Sequence, residues 1–230
     1  MQHSTCVHIG CRMFAALSLT GSFVPSSRAQ TRNSGPSEHG FVENRGQVID
    51  QAGHRNAQVL FLWAGGRGLN VQARHDGLSY DTYAPSGKTG SFLFHRLDMQ
   101  LVDADPDATV HGEDLLTGVI NVYNAGTPAT GALAIPHFGK IVYAEAWPHI
   151  DLVLTQEGEG PSPFKYNFVL HPGADISRIR MQYEGFDSAE LQDGAIAFSL
   201  SDRRLTESIP RSWTLPEHRP VEVRYEVIEQ

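Results

Sequence analysis

The chain of 230 residues is 40% hydrophobic and 19% charged, which is enough for one hydrophobic core or at most two small ones. Its formal net charge of −8 argues against a nucleic-acid partner. The 22 glycines and 13 prolines favour many turns and short strands over long helices.

The N-terminus has the pattern of a secretory signal peptide. Arg12 supplies a positive charge before an apolar run at residues 13–24, which is too short to span a bilayer. Ser27 and Ala29 are the small residues that such a cleavage site needs, so we expect the mature chain to begin at Gln30. The alternatives are a disordered tail or a wrongly assigned start codon.

Both cysteines of the chain, Cys6 and Cys11, precede the apolar run and would be removed with it. The mature protein would then have no thiol, and so neither a disulfide nor a cysteine-based metal site. No later hydrophobic run is long enough to cross a membrane. We therefore predict a secreted or cell-surface protein divided into a signal peptide, a flexible lead-in and one β domain, at residues 1–29, 30–40 and 41–230.

Short strand-like segments follow one another along the rest of the chain, with turn-forming residues between them. In one of them, Leu97, Met99 and Leu101 alternate with polar residues, which is typical of a half-buried antiparallel strand. No long run has a helical apolar period, so we predict an all-β fold, an antiparallel sandwich-like domain. The predicted strands are residues 58–63, 69–74, 78–83, 92–102, 119–123, 140–143, 150–155, 164–170, 179–183, 195–200, 205–209 and 221–227.

The densest strand signal lies in residues 139–185. Within it, the segment 164–170 has aromatic or aliphatic residues at every second position, and we predict that these face the core. We predict turns at residues 145–149, where Pro148 prevents helix continuation, and at residues 171–173.

Asp151 interrupts an apolar strand of this stretch, where an acid must be exposed or hydrogen-bonded. One interpretation is that it holds the turn at residues 147–149 by accepting backbone N–H groups, a common use of aspartate beside a turn. The other is that it forms a catalytic carboxylate pair with Glu145 or Glu43, as in glycoside hydrolases. The first interpretation needs no cleft and is the one we adopt.

The sequence contains no recognisable catalytic or metal-binding motif. His137, His149 and His171 lie around the central stretch and could form a three-histidine metal site, but their spacing matches no known ligand pattern, which favours roles in turns. The aspartates of residues 103–107 alternate like calcium ligands, but the glycine and glutamate of an EF-hand are missing, which favours a solvated turn. There is no nucleophile elbow and no phosphate-binding loop. We predict no cofactor.

Five ordered motifs together resemble one family, the DUF7948-like N-terminal domain of bacterial cell-surface proteins that carry SBBP β-propeller repeats. The motifs are FVENRGQ at residues 41–47, GKIVY at 139–143, WPHIDLV at 147–153, YNFVLHPGAD at 166–175 and IRMQYEG at 179–185. The chain departs from the family pattern at His149, where glycine is usual, and at Gly131, which replaces a usual tryptophan. The motif residues to which we assign structural roles are Glu43, Asn44, Gly46, Gly139, Tyr143, Pro148, Asp151, Tyr166, His171, Pro172, Gly173 and Asp175.

The resemblance implies a surface location behind a signal peptide but no established activity. We therefore expect a non-catalytic structural or interaction domain, either standing alone or cut from a longer propeller protein, whose partner is an unknown cell-surface protein or glycan. The rival prediction is an exported carbohydrate-binding module or glycoside hydrolase. That rival requires a cleft that holds two acids near an exposed tryptophan, whereas Trp63, Trp147 and Trp213 are more commonly expected in a core.

Overall fold

The structure is a computed structural model. It describes residues 40–50, 52–64, 68–86, 92–124, 126–156, 164–192, 195–201, 203–208 and 211–228, and the backbone alone of residues 7–13. The apolar run of the predicted signal peptide, its cleavage site and most of the lead-in lie outside these residues, so those assignments stay predictions. Among the described residues, no helix is long and apolar enough to cross a membrane.

The described residues confirm the prediction of an all-β, antiparallel, sandwich-like fold, with a single turn of 3-10 helix at Ile176–Arg178. The strands, in chain order, are β1 (Val7–Met13), β2 (Phe41–Glu43), β3 (Val59–Ala64), β4 (Leu69–Arg74), β5 (Gly77–Pro85), β6 (Phe92–Leu101), β7 (Thr109–Leu115), β8 (Ile120–Val122), β9 (Ala132–Ile135), β10 (His137–Trp147), β11 (Ile150–Gln156), β12 (Phe164–Leu170), β13 (Arg180–Glu184), β14 (Ser188–Gln192), β15 (Ala195–Leu200), β16 (Arg203–Ser208), β17 (Ser212–Trp213), β18 (Pro220–Val221) and β19 (Val223–Ile228).

Most strands belong to one 12-stranded main sheet, in the order β12-β11-β10-β2-β3-β4-β5-β6-β13-β1-β19, with β7 also paired to β10. A three-stranded sheet of β14, β15 and β16 and two small two-stranded ladders complete the described fold. Neighbouring strands are mostly consecutive in the chain, which is why local turn signals predict so many of them.

The main sheet curls so that its β12 end closes over the middle strands. Phe164 of β12 contacts the rings of Phe41, Trp63 and Tyr80 with centroid distances of 6.2, 5.6 and 6.0 Å, although these belong to β2, β3 and β5. The Trp63 indole N–H also donates to Gln156 Oε1 at 2.8 Å. The predicted core-facing row of β12 is thus confirmed, because it packs against the buried cluster.

Alternation also predicts the inner face of β6 correctly. Leu97, Met99 and Leu101 are buried, and Asp98 between them lies on the opposite face. The preceding hairpin has a turn at His75 and Asp76, as predicted, but Gly77 is already the first residue of β5. A Cβ at this position would clash with the carbonyl oxygen of Met99, so glycine is needed for close strand approach.

Three predictions of local structure are wrong. The turn predicted at residues 145–149 is shorter, because β10 continues to Trp147 through a register shift and only two residues turn the chain. The predicted strand 221–227 is two strands, since Val221 pairs with Ser212 whereas Val223 begins β19 of the main sheet. The predicted strands also leave out β9, at Ala132–Ile135.

Some strands give no clear sequence signal. β7 is polar and contains Gly112, yet it pairs with β10 from Thr109 to Leu115. A Cβ at Gly112 would clash with the Phe138 ring of β10, so the glycine lets that ring lie across the strand. The pairing therefore depends on the partner strand and not on an alternation within β7 itself.

Candidate functional site

Two turns of the central stretch lie side by side because β11 and β12 are antiparallel. Ile150, the first residue of β11, is opposite Leu170, the last residue of β12. The Pro148–His149 turn before β11 therefore meets the segment that follows β12, and the His171 N–H donates to the His149 carbonyl at 2.9 Å. We call the side chains of Glu145, His149, Asp151 and His171 at this edge the turn cluster.

Both carboxylate oxygens of Asp151 are used within the turn cluster. Oδ1 accepts the backbone N–H of Glu145 at 2.7 Å, and Oδ2 lies 2.7 Å from Nε2 of His171. The Asp151 side chain is only 19% exposed. Asp151 therefore accepts one backbone N–H group, but the donor is Glu145 of β10 and none of the residues 147–149 that the sequence predicted.

The Asp151 hydrogen bonds hold a strained stretch of backbone. Glu145 and His149 have positive φ angles of 51° and 65°, a conformation unfavourable for residues with a side chain. Glycine would adopt such angles at position 149 without steric cost. Gly173 also has a positive φ, of 93°, and lies against the His149 ring.

The Asp151–His171 pair resembles the orienting half of a catalytic triad, in which an aspartate positions a histidine base. The imidazole is partly accessible, with the His171 side chain 41% exposed. However, no described serine, threonine or cysteine side chain hydrogen-bonds to His171. The nearby Ser177 hydroxyl instead donates to Asp175, which caps the 3-10 helix by accepting the Ser177 N–H.

The acid pair and metal site considered from the sequence do not assemble among the described residues. Glu145 and Asp151 meet through a backbone N–H, and the Glu145 carboxylate lies 3.9 Å from His149 Nδ1 at the surface. His137 begins β10 whereas His149 follows its end, so the three histidines do not converge. The described residues contain no group of three side chains that could hold a metal ion. In the acidic turn at residues 103–107, the Asp105 carboxylate accepts the Asp107 N–H, so it stabilises the turn itself.

The N-terminal motif lies at a separate, open groove of about 380 Å³ lined by Glu43, Asn44, Gly46 and Arg55. Asn44 is occupied structurally, because its amide donates to the carbonyls of Asn56 at 2.9 Å and Val59 at 2.7 Å while its oxygen accepts two backbone N–H groups. Glu43 pairs with Arg45 at 3.2 Å on the surface, on a different strand from Asp151. Among the described residues that line the groove, Glu43 is therefore the one acid, and Arg45 partly neutralises it.

Two further motif residues fix strand packing. Tyr143 is buried and its hydroxyl donates to the Arg74 carbonyl at 2.7 Å, which ties β10 to β4 across the core. Burial raises the pKa of Tyr143 well above its ordinary value, so the phenol stays protonated. Gly139 lies beside Asp114 of β7, where a Cβ would be only 3.3 Å from the Asp114 Cβ.

Another motif residue, Tyr166, belongs to a partly buried cluster that sequence reasoning missed. Its hydroxyl donates to the Glu207 carboxylate of β16, which also accepts from Tyr183 at 2.8 Å and Tyr225 at 3.4 Å. Burial raises the pKa of Glu207, although the tyrosine hydrogen bonds act in the opposite direction. The available signal was the alternation of β16, which turns Glu207 to the same side as Leu205.

The tryptophans divide between core and surface. Trp63 and Trp147 are buried, as the commoner use predicts, and the Trp147 indole donates to the Val102 carbonyl at 3.0 Å. Trp213 is 51% exposed. The described chain also has a group of rings at its surface that sequence reasoning did not single out, in which the two phenylalanines are exposed and the tyrosine is partly buried. Tyr83, Phe92 and Phe94 form it, with centroid distances of 5.8 to 6.4 Å, and we call it the aromatic surface.

Comparison with known proteins places the chain in a family. Residues 41–230 match the family described as a domain of unknown function, DUF7948. No curated protein and no solved structure matches the chain. The match includes the turn cluster, the N-terminal groove and the tyrosine-bound Glu207, and it extends over well over half of the sequence. The chain belongs to the DUF7948 family.

Proposed function

We propose that this domain is a non-catalytic structural or interaction module, exported behind a signal peptide to the cell surface, as in proteins with SBBP propeller repeats. The observation that carries the proposal is the use of Asp151. One of its oxygens accepts the Glu145 N–H and the other hydrogen-bonds to His171. The acid that the sequence singled out as a catalytic candidate therefore maintains the shape of a strained turn. A hydrolase would need that carboxylate free to face a substrate.

The aromatic surface is the contact region that we propose for such a module. Phe92 and Phe94 are 52% and 66% exposed, and Leu93 between them is 48% exposed. Three consecutive exposed apolar residues at the start of a strand are unfavourable in water unless a partner covers them. Aromatic residues are enriched in protein interfaces for the same reason.

The second candidate is an exported carbohydrate-binding module, and one observation favours it. The Asp81–Arg96 ion pair, with a distance of 2.7 Å, lies on the same face of the β5–β6 hairpin, one side-chain step along from Tyr83 and Phe94. The aromatic rings could stack on the C–H face of a sugar, and the neighbouring ion pair could hydrogen-bond to its hydroxyls. A glycan partner would use the same surface as a protein partner.

Export and binding are tested separately. N-terminal sequencing of the secreted protein should find Gln30 first, and an intact Met1 would contradict export. The purified domain is then applied to a glycan array and to fixed cells, together with a Phe92→Ser/Phe94→Ser variant and a Trp213→Ala control at another exposed ring. Loss of binding in the double variant alone supports the proposed surface. Hydrolysis of any glycan, abolished by Asp151→Asn, would refute the non-catalytic assignment.

A further inference from the structure

The contact between the three-stranded sheet and the main sheet has a polar centre. Glu207 projects from β16, the outer strand of the small sheet, towards tyrosines of β12, β13 and β19 in the main sheet. Around it the contact is apolar, since Phe198 of β15 stacks on Tyr183 at 4.7 Å and on Phe186 at 5.5 Å. A single carboxyl group therefore occupies the polar position of an otherwise hydrophobic junction.

We infer that Glu207 is a pH-sensitive latch, which holds the three-stranded sheet on the main sheet when it is protonated and weakens that contact when it is ionised. This inference is independent of the proposed function. It concerns only how the two sheets of the fold are held together.

The geometry explains the dependence on protonation. Hydroxyls of Tyr166, Tyr183 and Tyr225 all approach the same oxygen, Glu207 Oε1, and the Tyr166 and Tyr225 hydroxyls also lie 2.9 Å apart. Three hydroxyl donors can hydrogen-bond a carboxylate, but they leave its negative charge uncompensated in this partly buried junction between the sheets. Among the described residues, no positively charged side chain is among the groups that influence the Glu207 pKa.

The neighbouring groups do not supply a competing titration near neutral pH. Tyr80 of β5 is buried, its hydroxyl has no hydrogen-bond partner among the described residues, and burial and Glu207 together raise its pKa. Burial followed by the charge of Glu207 likewise raises the pKa values of Tyr166 and Tyr183. The phenols of Tyr80, Tyr166 and Tyr183 thus stay protonated through neutral pH, and Glu207 is the group beside them that changes charge.

The sign of the effect follows from the raised Glu207 pKa. The unfolded chain ionises this carboxyl near its ordinary pKa of 4.5, whereas the folded chain keeps the proton to higher pH. The folded state therefore binds more protons in that window, and its stability falls as the pH rises until the folded carboxyl has also ionised. The two sheets are therefore held together most firmly at acidic pH.

Hydrogen exchange followed by mass spectrometry tests the latch on the full domain at pH 5 and pH 8, with rates corrected for intrinsic exchange. We expect β14, β15 and β16 to lose protection at pH 8 while β3 to β6 keep theirs. The melting temperature should likewise fall from pH 5 to pH 8, because the folded state binds the carboxyl proton more tightly than the unfolded chain.

Two variants separate the latch from general pH effects. Glu207→Gln has the same shape but no charge, so both pH dependences should disappear. Tyr183→Phe removes a donor that favours the ionised carboxyl, so the loss of protection should move to higher pH. An unchanged pH dependence in Glu207→Gln would overturn the inference. If that variant fails to fold, a shift to lower pH or no shift in Tyr183→Phe would overturn it equally.

Discussion

Replacing Asp151 by alanine tests the turn-fixing role most directly. The substitution removes the acceptor of the Glu145 N–H and the partner of His171 Nε2, both at 2.7 Å. A hydrogen bond to a charged group contributes about 1.5–3 kcal/mol, and the lower end applies here because water can replace a partner of the half-exposed His171. We expect Asp151→Ala to lower the free energy of unfolding by about 2–4 kcal/mol.

The assay is urea unfolding at pH 7 with linear extrapolation, in which the denaturant slope should stay the same for each variant. Asp151→Asn is the matched control, because its amide oxygen can still accept the Glu145 N–H, and it should lose about half as much free energy. A change below about 0.5 kcal/mol for Asp151→Ala, typical of an ordinary surface substitution, would refute the turn-fixing role. An asparagine variant as damaged as the alanine variant would refute the contribution of the Glu145 hydrogen bond.

Three other substitutions test the packing and backbone arguments. His149→Gly should raise the melting temperature by about 2–4 °C, because it relieves roughly 1 kcal/mol of left-handed backbone strain. An unchanged melting temperature in a thermal scan would contradict the strain. Gly77→Ala should abolish soluble expression or lower the free energy of unfolding in urea by more than about 2 kcal/mol, because the new Cβ clashes with the Met99 backbone. A near-normal stability would contradict the close approach of the two strands. Trp147→Ala should lower the free energy of unfolding by about 3–5 kcal/mol, whereas Trp213→Ala should change it by less than about 0.5 kcal/mol. Equal losses in the two variants would contradict the different burial of the two tryptophans.

The fold could be predicted wherever one strand carries its own burial pattern. Leu97, Met99 and Leu101 alternate with polar residues because β6 has one buried and one wetter face, so the pattern survives in the sequence. β7 has no such pattern, since it is held by pairing with β10 and by a glycine that accommodates Phe138. Pairing of this kind depends on the side chains of β10, so the sequence of β7 alone does not reveal it.

The candidate site shows the same division. Asp151 stands out locally because an acid in an apolar strand must find partners, and the structure supplies them. The identity of one partner, His171, depends on the register of β11 against β12. Glu207 stands out less, because Leu205 is the one apolar residue of its strand and only the packing of one sheet on another turns both residues inward. An acid in a mostly polar strand is thus less visible to sequence reasoning than an acid in an apolar one.

The distribution of satisfied and unsatisfied groups indicates where a partner would bind. The polar motif residues are used inside the domain, since Asn44 braces the backbone, Asp151 holds a turn and Tyr166 binds Glu207. Groups that already have partners gain little from a ligand, because binding would only exchange one hydrogen bond for another. Phe92 and Phe94 remain exposed to water, so covering them yields a hydrophobic gain that the fold itself does not take. Binding energy in this domain should therefore come from the aromatic surface and not from the family's polar motifs.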